Sequence, residues 1–143
     1  MFRELAKRLG LSLVELNVLA SKNPEIDISI DKAMREEALK GDVVIEAHLG
    51  GWTLWDIADL NVYLTAPLKV RAERIAIRDG KRFEEALFET LRREELQWRR
   101  FKEYYGFDTN DIGVFDLVIN TAKFGPDEII NIIVGKARKI SRT

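Results

Sequence analysis

The hydrophobic pattern begins helical. Phe2 to Leu9 reads as a short helix closed by Gly10. Ser12 caps a second helix, and Glu15 three positions on completes the capping box SLVE. That helix ends near Lys22, before Asn23-Pro24. A third is predicted from about Ser29 to Lys40, stopping at Gly41. The period then changes. Val43-Val44-Ile45 is a β-branched run, predicted as a strand buried on both faces, and Gly50-Gly51-Trp52 follows its end. Asn61 to Thr65 predicts a second strand. Pro67 opens a helix to about Asp79, broken by Gly80. A long helix is expected over 84–105, a loop over 106–113, and a third strand at Leu117-Val118-Ile119. Pro126 starts a last helix, amphipathic through Ile129, Ile130, Ile133 and Val134. Strands separated by helices predict an α/β fold with a parallel sheet, in one domain over residues 1–143. Three strands make a thin sheet for so many helices.

Composition narrows the chemistry. With 46% hydrophobic and 33% charged residues, the chain is globular rather than disordered. A net charge of -1 argues against a dedicated nucleic-acid binder. There is no cysteine, which excludes disulfides, thiolate metal sites and cysteine nucleophiles. His48 is the single histidine, so a multi-histidine metal site is excluded as well. No apolar run has the length of a membrane span and MFRELAKRLG is no signal peptide, so a cytoplasmic location and no membrane partner are expected.

The segment ETLRREELQWRRFKEYYG, 89–106, changes the picture most. Arg92, Arg93, Arg99 and Arg100 fall in one predicted helix. At about 100° per residue, Arg93 and Arg100 lie close together with Gln97 between them. Phe88, Leu91, Trp98, Phe101 and Tyr105 gather on another arc. An apolar side that docks and an arginine side that faces a polyanion make the outline of a phosphate clamp, since arginine's planar fork matches phosphate oxygens. The same residues, paired Glu89 to Arg93, Glu95 to Arg99 and Arg99 to Glu103, also suit an exposed, salt-bridged helix with no ligand.

Beyond this segment, FRELA, PEID, VVIEAHLGGW, LTAPLKVRAERIAIRDG, EEAL and FDLVINT occur in order along nearly the whole chain. Together they resemble the archaeal type of cytidylate kinase, a family of P-loop nucleoside monophosphate kinases. The resemblance implies a three-layer α/β/α fold with a parallel sheet, a nucleoside-monophosphate-binding segment at 10–40 and a lid at 80–113. It implies transfer of the γ-phosphoryl of ATP to CMP or dCMP with Mg²⁺, and small-molecule nucleotides as partners. The family's opening strand, its G-x-x-x-x-G-K-[S/T] loop and the following helix have no counterpart here: neither Gly50-Gly51 nor Gly80-Lys81 has that spacing. The FREL residues stand in the family just after this first βα unit, roughly thirty residues in. The expectation is therefore a truncated chain, or a paralogue without the loop, with poor or absent kinase turnover.

The resemblance also assigns residues. Arg3 matches the arginine that grips the acceptor monophosphate, and Asp31 would contact the base. Glu46 stands where related kinases carry a carboxylate near Mg²⁺, at the carboxyl end of the predicted strand. His48, in EAHL, replaces an arginine that holds the acceptor phosphate. Arg74 would cover the ATP base or ribose and Arg78 would approach its phosphates. Arg93 and Arg100 match the lid arginines that close over the transferring phosphoryl group, while Arg92 and Arg99 read as salt-bridge partners and Asp116 as structural. Other readings stay open: an adenylate- or shikimate-like kinase, or a non-catalytic nucleotide-binding or assembly module. Exposed sheet edges would favour a homodimer. An RNA-binding helical protein is disfavoured by the net charge.

Overall fold

The computed structural model describes residues 2–141, without the side chains of Phe2, Arg3, Leu13, Val14 and Asn17. It divides into two compact units, Met1–Ala58 and Asp59–Thr143.

The first unit is helical: α1 (Phe2–Leu9), α2 (Leu13–Lys22), α3 (Pro24–Leu39) and the single turn α4 (Gly50–Thr53). The expected capping box forms. The Glu15 amide donates to Ser12 Oγ at 3.2 Å, and the Ser12 amide donates to Glu15 Oε2 at 2.7 Å. Helix α3 starts five residues before the predicted Ser29. Asn23-Pro24 ends α2 but also launches α3, because Asn23 Oδ1 accepts the Glu25 amide at 3.2 Å and Pro24 fits the first helical turn. Each helix packs on the next, around a core that includes Ala6, Leu16, Ala20, Met34 and Trp52. Arg35 ties α3 to the segment after α4 by a two-point fork onto Asp56, at 2.9 and 2.5 Å, and a bond to the Thr53 carbonyl.

The predicted strand at Val43-Val44-Ile45 does not form. Residues 43–47 are irregular, and Val44 is 97% exposed rather than buried on both faces. A β-branched run becomes a strand only when a neighbour takes up its amides and carbonyls. No described segment pairs with this one.

The second unit carries β1 (Val62–Thr65), α5 (Leu68–Asp79), α6 (Phe83–Tyr105), β2 (Leu117–Asn120) and α7 (Pro126–Ile140), all close to the predicted positions. Strands β1 and β2 pair in parallel, Val62 opposite Leu117 through Thr65 opposite Asn120. Among the described residues this is the whole sheet, so the fold is mixed α/β on a small parallel sheet. Its amino end is pinned by Asn61, which is buried. The Asn61 amide donates to Asp116 Oδ2 at 2.7 Å, and its side-chain amide donates to the Val114 carbonyl at 2.9 Å. Asp116 is thus a structural carboxylate, as expected. At the carboxyl end the Thr121 amide donates to the Thr65 carbonyl at 2.8 Å and prolongs the ladder.

Helices α5 and α6 pack together as a hairpin. Gly80 closes α5 in the left-handed region at φ 63°, where glycine carries no Cβ penalty. The buried residues of the two helices include Ala72 and Ala76 on α5 and Ala86 and Thr90 on α6. Small side chains suit close approach of the axes. Of the predicted aromatic arc, Phe101 is buried and Trp98 and Tyr105 are half-buried, but Phe88 and Leu91 face solvent.

Candidate active site

In open parallel sheets ligands gather beyond the carboxyl ends of the strands. The second unit presents Arg74 there. From α5 it donates through Nη1 to Thr121 Oγ1 at 2.7 Å and through Nη2 to the Thr121 carbonyl at 2.8 Å. The side chain assigned to the ATP base therefore lies at the end of β2, where the chain leaves the sheet. Asn120 Oδ1 accepts the Ala122 amide at 3.0 Å and shapes that exit. Thr121 was not singled out from the sequence. Its signal was available only as the last residue of FDLVINT.

One helical turn on, Arg78 forks onto Asp79: Nε donates to Oδ1 at 2.6 Å and Nη2 to Oδ2 at 3.0 Å. These bonds hold the Asp79 carboxyl below the usual carboxylate range, with the charges of Arg78, Lys81 and Arg93 acting in the same direction. Arg93 of α6 is therefore within electrostatic reach of the end of α5. Arg100 lies further along α6, half-buried, with its guanidinium carbon 5.1 Å from the Phe101 ring centroid. Arg99 pairs with Glu95 at 2.5 Å, as expected of a salt-bridge partner. Glu89 turns to Lys81 across the hairpin at 2.7 Å instead of serving Arg93.

Two further contacts set the α6 frame. Arg71 of α5 meets Glu94 of α6 at 2.9 Å. Trp98 Nε1 donates to Asp108 Oδ1 at 2.8 Å, tying the loop after α6 back to the helix. Neither follows from spacing along one helix, since each joins separate segments.

In the first unit, Arg3 falls on α1 and its side chain lies outside the described residues. Asp31 sits on α3, one turn after the buried Asp27. Burial first, and the Asp27 charge second, push its carboxyl up to about 6. Glu46 is exposed and lines an open groove of about 550 Å³ with Met34, Glu37, Lys40 and Val44. His48 is exposed two residues before α4. Gly50-Gly51 opens α4, and Gly50 is buried so tightly that a Cβ would meet Ala47 Cβ at 3.0 Å. Its role is close packing. Among the described residues, no group of three or more His, Asp or Glu side chains is placed to hold a metal ion. Magnesium that arrives on nucleotide phosphates needs only one or two protein carboxylates.

Comparison with known proteins decides the relationship. Residues 21–123 match the model of the cytidylate kinase-like family. The chain belongs to the cytidylate kinase-like family. It is 58% identical over 132 residues to a protein named cytidylate kinase from Ignicoccus hospitalis, covering 92% of this chain and 77% of that one. A cytidylate kinase of Staphylothermus marinus is 52% identical over 132 residues, with 92% and 75% covered. One from Saccharolobus islandicus is 39% identical over 142 residues, with 99% and 75% covered. No solved structure matches the chain. The family model spans Asp31, Glu46, His48, Arg74, Arg78, Arg93 and Arg100, whereas Arg3 lies before its first matched residue.

Proposed function

We propose that this chain is a cytidylate kinase, transferring the γ-phosphoryl group of ATP to CMP or dCMP to give CDP or dCDP. The observation that carries this reading is the 58% identity over 132 residues to a protein of that name. In this reading Arg93 and Arg100 are the catalytic cations. Phosphoryl transfer asks for alignment and neutralised charge more than for covalent chemistry, and guanidinium forks on a helical hairpin offer both. Arg74 and Arg78 hold ATP, the first from the carboxyl edge of the sheet. Arg3, Asp31 and His48 receive the acceptor monophosphate. The exposed Glu46 would offer a carboxylate, through water, to Mg²⁺ carried by the ATP phosphates, an ion that would supply neutralisation of their charge. The partners are small-molecule nucleotides, in the cytoplasm. Neither nucleic acid nor membrane is expected. No described helix is long and apolar enough to cross a bilayer.

The 143 residues contain no G-x-x-x-x-G-K-[S/T] segment, so their own amides supply no such phosphate cradle. Turnover by this polypeptide alone is expected to be low. A second reading, a nucleotide-binding or assembly module without catalysis, is favoured by the two-stranded sheet and the bare Val44, which suit a homodimer that covers them. A coupled assay of ADP formation with CMP, dCMP, UMP and AMP, beside thermal shifts with the same nucleotides, separates the readings. CMP-dependent ADP formation, even if slow, supports the kinase. Stabilisation by CMP without turnover supports the module. A preference for AMP points to an adenylate-like enzyme, and no response to any of them removes the acceptor site.

A further inference from the structure

Adjacent residues of an α-helix point about 100° apart and do not face each other. Arg78 and Asp79 nevertheless meet through two bonds, at 2.6 and 3.0 Å, at the last residue of α5. Two guanidinium nitrogens on two oxygens of one anion is also the geometry by which arginine takes a phosphate. Lys81 and Arg93 add their charges at the same carboxylate, so cations from α5, the turn and α6 act on it together. Arg78 and Arg93 are the two among them assigned to phosphate on separate grounds, by the family resemblance. Lys81 is otherwise engaged by Glu89 at 2.7 Å. An anion belonging to the chain thus occupies the field of its candidate phosphate-binding cations.

We infer that Asp79 is an internal stand-in for phosphate, holding the Arg78 fork while the site is empty and giving it up when a nucleotide phosphate arrives. The inference rests on the nucleotide-binding reading above. Asp79 touches no reacting atom in this role and is a positioning residue. It keeps Arg78 neutralised and aimed, and it lowers the affinity of the fork for the incoming anion. Arg78 and Asp79 are 59% and 32% exposed at their side chains, so water screens the pair and the competition is modest. Release of such a pair corresponds to a change of about two- to fivefold in affinity.

Titration calorimetry with ATP and with inorganic tripolyphosphate tests this on the full chain and on Asp79→Asn, Arg78→Gln and the double variant. Asp79→Asn is expected to tighten both ligands by about two- to fivefold, more at low salt than at high. Tripolyphosphate has no base, so an equal gain with it locates the effect at the phosphates. In the Arg78→Gln background the gain should vanish. Unchanged or weaker binding by Asp79→Asn overturns the inference, and so does an equal gain with Arg78 removed, which would reflect net charge alone. Asp79→Ser serves as a second neutral variant should the asparagine fail to fold. If the unaltered chain binds neither ligand, the nucleotide reading falls and takes the inference with it. Binding that does not respond to residue 79 sinks only the inference.

Discussion

Asp31 shows how a residue's neighbours, not its type, set its chemistry. On α3 it shares a face with Asp27, four residues earlier, and burial plus that like charge raise its carboxyl to about 6, from 3.8 in an open chain. Between those values the folded chain holds a proton that the unfolded chain has released. Stability therefore falls as pH rises through that window and levels off above it. Asp56, Asp79 and Asp108 are shifted the other way, below 3.8, so they stay charged throughout. Melting followed from about pH 5 to about pH 7.5 should show Tm dropping by a few degrees, and Asp31→Asn should flatten the drop and melt higher at the upper end. A Tm that rises across this range in the parent chain contradicts the shift. Arg74 makes the complementary point. Its place in RAERIAIRDG marks it as a site residue by resemblance, but its hold on Thr121 depends on where β2 ends. No spacing within α5 contains that information.

Helices were the most legible elements. The Ser12 cap with Glu15, Pro67 ahead of α5, left-handed Gly80 and Gly106, and Pro126 at the start of α7 are local chemistry acting within a few residues, and all fall where the sequence puts them. The seam between α5 and α6 was not legible. Helical periodicity ranks residues by size and polarity, which selected Phe88 and Leu91. On the two packed helices the buried positions include Ala72, Ala76 and Ala86 instead, short side chains of the kind that allow close approach. Ala86→Leu should therefore overpack the hairpin and cost about 1–3 kcal/mol in urea unfolding. Leu91→Ala, on the exposed side, should cost far less. Equal losses for the two would mean that the seam lies elsewhere.

At the scale of the whole molecule, the candidate residues divide between the two compact units: Asp31, Glu46 and His48 fall in the first, Arg74, Arg78, Arg93 and Arg100 in the second. Among the described residues, Val43-Val44-Ile45 has strand chemistry without a strand's partner, and neither edge of the two-stranded sheet pairs with a further strand. Sedimentation over a range of concentrations should show self-association. Val44→Lys should weaken it by roughly tenfold, about the worth of one buried valine. A monomer at every concentration, in parent and variant alike, removes the homodimer. By itself the sequence determined most of the helices, several of their caps, the alternation that makes the fold α/β, and the family, since these follow from short-range backbone chemistry and from residue order. Tertiary structure decided which β-branched run found a ladder partner, which residues of α6 are buried, and which groups Arg35, Arg71 and Arg74 hold. Strand pairing, close packing and ion pairing depend on atoms distant in the chain meeting within a few ångströms, and a local pattern cannot encode that encounter.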